Sequence, residues 1–167
     1  MRGHWANWVE ESLLDELKAR DVERVRLPIG DWTINQYGPY VGCMDGAAEQ
    51  VDQFLDWAAA RNISVWLDVH TARGSQNGFD NGGRTQLVTW TDETHYTHDG
   101  NTAWLGTGDH TFIDYAHIKW SLDQMEAMLQ RWGSHSALIG FEPVNEPDWN
   151  TNAVILKDYY REVRRLV

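Results

Sequence analysis

The sequence predicts an α/β fold in which a parallel sheet turns one face to helices and the other to the inside of a barrel. Three observations carry that reading. Segments that alternate with period two take turns with segments whose apolar residues recur at three and four, in the order α-β-α-β-α-β-α. The strand segments hold aliphatic side chains on one face and charged ones on the other. A long stretch rich in Gly, Thr, Asn and Asp follows the second strand, at the sheet end where α/β proteins place their sites.

The elements follow in order. Residues 7–20 read as a helix, with Val9, Leu13, Leu14 and Leu17 on one stripe. Arg24–Ile29 alternates, Val25, Leu27 and Ile29 sharing a face, and Gly30-Asp31 ends the strand. Ala47, Val51, Phe54, Leu55 and Ala58 recur at helical spacing, and Asn62 closes that helix. Ile63–His70 alternates again, with Ile63, Val65, Leu67 and Val69 opposed to Ser64, Trp66, Asp68 and His70. Residues 71–112 read as one irregular region. The third helix carries Ile118, Leu122, Met125, Leu129 and Trp132 on its stripe, and Gly133 stops it. Leu138–Val144 is the third strand, and Leu156, Tyr160, Val163 and Val167 mark a last helix.

Strand parity carries the functional reading. The aliphatic faces must cover helices. The opposite faces hold Arg26 on the first strand, Asp68 and His70 on the second, and Glu142 with Glu146 on the third if extension continues. Charges buried between two layers of helices are costly unless paired. On the inside and at the mouth of a barrel they pair with one another and meet a substrate.

Composition narrows the partners. The formal net charge is −11, with Lys and Arg scattered, so the basic footprint that phosphate backbones require is missing. A neutral substrate fits better. Cys43 is the single cysteine, which leaves no internal disulfide and no multi-cysteine zinc site. No apolar run approaches the roughly 20 residues of a membrane span, and no apolar leader follows Met1. Ten Trp residues are present. Most are expected in the core; Trp32, Trp90, Trp104 and Trp149, in polar and turn-rich contexts, are candidates for stacking on sugar rings.

Four constellations are candidates for chemistry. Asn145-Glu146-Pro147 follows a strand directly. Pro147 disfavours the helical region for Glu146 and predicts an extended residue with its carboxylate at the strand rim. Cleavage of a glycosidic bond needs two carboxyl groups, one of which protonates the leaving oxygen, and an adjacent amide such as Asn145 can hold a sugar hydroxyl. Asp68 and His70 are two apart and share a face, as metal ligands or as a hydrogen-bonded pair in which His70 meets substrate; the second reading ranks higher, because His95, His98 and His110 lie without strand register. Arg26 is either a structural ion-pair partner or the group that orients the catalytic carboxylate. The run Thr71–Gly83 (TARGSQNGFDNGG) is either a flexible loop or a shaped rim offering amides to sugar hydroxyls. Its Asp80 and glycines lack the ligand spacing and closing Glu of a calcium loop.

Taken together, Val25–Trp32 (VRLPIGDW), Val65–Asn81 (VWLDVHTARGSQNGFDN) and Ile139–Pro147 (IGFEPVNEP) resemble family 5 glycoside hydrolases, in particular the exo-β-1,3-glucanase branch. His4-Trp5 and Leu156–Arg161 share the resemblance, and the loop around 85–112 matches least. The resemblance implies that residues 1–167 form part of a (β/α)₈ barrel, from about helix 1 to helix 4 with three parallel strands, the first strand and the C-terminal half being absent. A complete barrel typically takes ~250 residues. It further implies a retaining double displacement on β-glucan. Glu146 would be the acid/base, Asn145 its partner at the catalytic sugar, His70 a sugar contact and Arg26 the support of the active carboxylates. Trp32, Asn77, Asp80 and Asn81 complete the expected substrate-binding set. The nucleophile, a Glu on a later strand, has no counterpart here. No metal or organic cofactor is expected, and the resemblance implies a secreted or cell-wall-associated location. The alternatives are a carbohydrate-binding remnant without catalysis and a metal-dependent hydrolase using Asp68 and His70.

Overall fold

In the computed structural model of the chain, described at residues 3, 7, 9–83, 85, 87–90, 96–99, 115–148 and 151–167, helices and parallel strands alternate as the patterning requires. The elements are α1 (Glu11–Ala19), β1 (Arg24–Gly30), α2 (Ala47–Ala60), β2 (Ser64–Thr71), β3 (Leu87–Trp90), β4 (Tyr96–Asp99), α3 (Tyr115–Trp132), β5 (Leu138–Glu142) and α4 (Ala153–Leu166). Strands β1, β2 and β5 form one parallel sheet with β2 in the middle. The region expected to be irregular contains a second, antiparallel pair, β3 with β4. The run Leu87-Val-Thr-Trp90 has the β-branched and aromatic composition that pairs as a strand.

The core lies between the sheet and the helices. Val65, Leu67 and Val69 are buried on one face of β2, with Ile63 just before the strand, against Phe54, Leu55 and Ala58 of α2 and Met125, Met128 and Trp132 of α3. Three helical stripes sit slightly rotated from the sequence expectation. On α1, Leu14 is buried while Leu13 is largely exposed; on α3, Met128 is buried where Leu129 was expected; on α4, Tyr159 is buried in place of Tyr160. In each case two apolar neighbours compete for one inward position, and packing decides between residues 100° apart. Asn62 closes α2 in the left-handed region (φ +52°), where Asn is tolerated better than most residues. Asn152 caps α4, its side-chain oxygen accepting from the backbone N–H of Val154 and Ile155. At Gly133 a Cβ would lie 2.5 Å from the Leu129 carbonyl oxygen, so glycine is what lets α3 end there.

Two irregularities in the sheet position the site. Val65 pairs with Leu138 but Trp66 pairs with Gly140, so Ile139 is an extra residue in β5. An extra residue reverses which face the following side chains occupy. Leu138 therefore packs on the core before the bulge and Phe141 after it, while Glu142 stands beside Asp68 on the other face. Similarly, Ile29 pairs with Val69 and Gly30 with Thr71, which leaves His70 as the extra residue at the end of β2. The non-helical face carries Arg26, Trp66, Asp68 and Glu142, and Trp66 is 45% exposed on it. Among the described residues no helix is long and apolar enough to cross a membrane.

Candidate active site

Strand parity brings Arg26, Asp68 and Glu142 side by side on three neighbouring strands. The Arg26 guanidinium donates through Nε to Glu142 Oε2 at 2.8 Å and through Nη2 to Asn145 Oδ1 at 2.8 Å. The same Nη2 lies 2.9 Å from Asp68 Oδ2. Both readings of Arg26 predicted such pairing. The hydrogen bond to Glu142, with the charges of Asp68, Glu142 and Glu146 around it, raises the guanidinium's pKa further. Asp68 has no exposed surface, and burial pushes its carboxyl above the usual range against the hydrogen bond from His70. His70 Nδ1 is 2.6 Å from Asp68 Oδ2. That contact makes Nδ1 the donating nitrogen and leaves Nε2 as the nitrogen His70 can offer elsewhere. Two buried polar atoms of this cluster have no partner among the described residues, Asp68 Oδ1 and Asn145 Nδ2. No three His, Cys, Asp or Glu side chains gather as a metal site among the described residues.

Glu146 differs from the sequence expectation. Strand β5 ends at Glu142, short of Val144, although the Asn145 N–H still donates to the Val69 carbonyl at 3.1 Å. Glu146 is not extended; its φ is +40°, in the left-handed region. The restriction Pro147 imposes is overridden by two contacts from the loop after β2. Asn77 Nδ2 donates to the Glu146 carbonyl at 3.0 Å, and Asn81 Nδ2 donates to Glu146 Oε2. The twist turns an exposed carboxylate onto the loop at the carboxyl end of the sheet.

The run Thr71–Gly83 is held by its own side-chain hydrogen bonds. Asn77 is buried and its amide is fully engaged, donating also to Asn81 Oδ1 at 2.9 Å and accepting from the Phe79 N–H at 3.0 Å. Asp80 is exposed and accepts from the Asn81 N–H at 2.9 Å, opening the short 3₁₀ turn Asp80–Gly82. At Gly82 a Cβ would come within 2.2 Å of Ser75 Oγ and 2.6 Å of Asn77 Oδ1, so the turn closes only around glycine.

Trp32 follows the end of β1. Its ring lies over Gly30 and stacks on Tyr40, with centroids 5.2 Å apart and planes 20° from parallel. Trp32 and His70 both line a cavity of about 490 Å³ along β1. Nearby, the fully buried Asp31 accepts from the Tyr37 hydroxyl at 3.0 and 3.2 Å and from the Thr71 hydroxyl at 3.4 Å, and burial raises its carboxyl to about 6. The side chain of Trp90 and all of His4, Trp5, His95, Trp104, His110 and Trp149 lie outside the described residues, as does the side chain of His98.

Sequence reasoning did not single out Gln76 or Asp31. Gln76 was one amide among several in a polar run, and Asp31 read as the end of a strand; only burial distinguishes them.

The chain is similar to several known proteins. The chain is 30% identical over 164 residues to a glucan 1,3-beta-glucosidase of Blumeria graminis, covering 96% of this chain and 33% of that protein. It is 31% identical over 149 residues to a glucan 1,3-beta-glucosidase of Schwanniomyces occidentalis, covering 86% of this chain and 29% of that protein. The chain thus spans about a third of the length of the curated relatives it matches. Among solved structures, the rutinosidase of Aspergillus niger superposes with a TM-score of 0.64 at 20% identity, over 99% of this chain and 46% of that one. An endoglucanase of Pseudomonas stutzeri superposes with a TM-score of 0.57 at 14% identity, over 94% and 40%. The three parallel strands and their helices match part of the barrel fold of these structures. All of residues 1–167 match the profile of Cellulase (glycosyl hydrolase family 5), and the chain belongs to that family.

Proposed function

We propose that this chain is part of a retaining glycosidase acting on β-glucan, β-1,3-linked by similarity to its relatives, with Glu146 as general acid/base. The observation that carries the reading is an exposed carboxylate at the strand mouth, gripped by Asn81 and set beside the Arg26–Asp68–Glu142 cluster. In the first step Glu146 gives its proton to the glycosidic oxygen as the C1–O bond breaks. The nucleophilic carboxylate, which the resemblance assigns to a later strand outside this chain, bonds to C1. In the second step Glu146 takes a proton from water, whose oxygen attacks C1 and releases the nucleophile. No metal or organic cofactor enters either step.

The surrounding residues support the roles expected of them. Asn145 Nδ2, without a partner among the described residues, is a donor left for a sugar hydroxyl, and leaving such a group unpaired costs about 1–3 kcal/mol. His70, oriented by Asp68, offers Nε2 to a second hydroxyl. Arg26 fixes Asn145 and Glu142 relative to Asp68. Trp32, stacked on Tyr40, provides an aromatic face at the end of β1, and Asn77, Asp80 and Asn81 shape the rim.

The test uses the full-length protein that carries this chain. Glu146→Gln is expected to suppress cleavage of β-glucosides with poor leaving groups at least ~100-fold more than cleavage of activated aryl glucosides, which need no protonation. Equal losses on both would refute the acid/base role. Retained laminarin-type glucan binding with no turnover in the parent protein would favour a carbohydrate-binding remnant instead.

A further inference from the structure

Gln76 is 1% exposed, and its side-chain amide uses both ends. Nε2 donates to the Asn145 carbonyl at 2.8 Å and to the His70 carbonyl at 3.0 Å, while Oε1 accepts from the Ala72 N–H at 3.0 Å. Its backbone carbonyl accepts from the Asp148 N–H at 3.3 Å. One side chain therefore ties the end of β2 to the segment after β5, beyond the last backbone rung from Asn145 to Val69. The next residue continues the pattern, Asn77 gripping the Glu146 carbonyl as Gln76 grips that of Asn145. Consecutive side chains on the loop thus hold consecutive carbonyls on the catalytic segment, in place of a strand ladder.

This grip accounts for the conformation of Glu146. A non-glycine residue in the left-handed region costs on the order of 1 kcal/mol or more and persists only where its surroundings over-determine it. With Asn145 and Glu146 both held by their carbonyls, the backbone cannot relax toward the extended form that Pro147 favours. The carboxylate stays on Asn81. We infer that Gln76 is a positioning residue for the acid/base: it touches no reacting atom but sets the direction of the Glu146 carboxylate through the Asn145 carbonyl. The inference rests on the acid/base reading of Glu146.

The test is Gln76→Glu in the full-length protein, which keeps the size and the acceptor for Ala72 but removes the two N–H donors. kcat/KM is measured on an alkyl β-glucoside and on a dinitrophenyl β-glucoside, with Glu146→Gln run in parallel. The expected result is a loss of ~10–100-fold on the alkyl glucoside, the scale of a misplaced catalytic group, and a loss below ~3-fold on the dinitrophenyl glucoside. A purely structural role lowers both by the same factor, so equal losses in Gln76→Glu overturn the inference when Glu146→Gln itself discriminates between the substrates. If Glu146→Gln does not discriminate, the acid/base reading fails and the inference falls with it. If Gln76→Glu lacks the far-UV circular dichroism of a folded barrel, Asn77→Ala replaces it, with the same leaving-group split expected and equal losses again refuting the idea.

Discussion

Replacing Arg26 by Leu tests whether the guanidinium neutralises the inner face of the sheet. Asp68 is fully buried, its Oδ1 is already without a partner among the described residues, and its Oδ2 is shared between Arg26 and His70. Removing one member of a buried pair costs about 3–5 kcal/mol because the other charge stays behind. Arg26 is 44% exposed, so solvent screens part of the interaction and the expected cost falls to about 2 kcal/mol. For a barrel of this kind that is a fall of very roughly 4–8 °C in Tm. Adding Asp68→Asn removes the stranded charge while an amide oxygen still accepts from His70. The double variant is therefore expected to be more stable than Arg26→Leu alone, with a coupling of about 1.5 kcal/mol in a double-mutant cycle by urea unfolding. The sign of the pH effect follows from Asp68, whose carboxyl burial holds above the ordinary range. Such a group contributes stability in its protonated form and loses it as pH rises through the raised pKa. The cost of Arg26→Leu should accordingly shrink toward acid pH and be largest near neutrality. Additivity of the two substitutions within ~0.5 kcal/mol at neutral pH would show that the two charges do not interact, and the argument for the cluster would fail.

Two further substitutions probe groups that the catalytic reading does not use. Asp31 titrates at about 6 against an ordinary 3.8, so its stabilising contribution is complete below the lower value and lost as pH rises through the higher. Relative to Asp31→Asn, the native protein is expected to lose about 3 kcal/mol between acid and neutral pH; a pH-independent difference in urea unfolding refutes it. Tyr159 is buried and its hydroxyl donates to the Pro143 carbonyl at 2.9 Å, tying α4 to the segment that leads to Glu146. Tyr159→Phe should lower unfolding free energy by about 1–2 kcal/mol, and a loss below ~0.3 kcal/mol would show that the hydrogen bond is dispensable.

Much of this architecture was legible because its periodicities are local. Val65, Leu67 and Val69 against Trp66 and Asp68 declare a strand and its two faces from five consecutive residues. The α2 pattern from Ala47 to Ala58 does the same for a helix. Where two apolar neighbours compete, as Leu13 with Leu14 or Met128 with Leu129, the periodic signal is nearly degenerate, and the shape of the opposing core decides. The bulge at Ile139 lies beyond any local rule. Strict alternation would put Leu138 and Glu142 on one face, and only pairing with β2 separates them.

The same division holds at the site. The residue types and their order in Arg26, Asp68, His70 and Asn145-Glu146-Pro147 are sequence properties, and with strand parity they establish a charged face and a carboxylate at its mouth. The chain's family membership also follows from sequence, over all 167 residues. The direction of that carboxylate does not. Pro147 acts on Glu146 through one peptide bond and predicts extension, whereas Asn77, Asn81 and Gln76 act from about 65–70 positions away and impose φ +40°. A buried amide such as Gln76 looks in sequence like any polar loop residue. Its role exists only once the fold has removed water and brought the carbonyls of His70 and Asn145 to its one amide nitrogen.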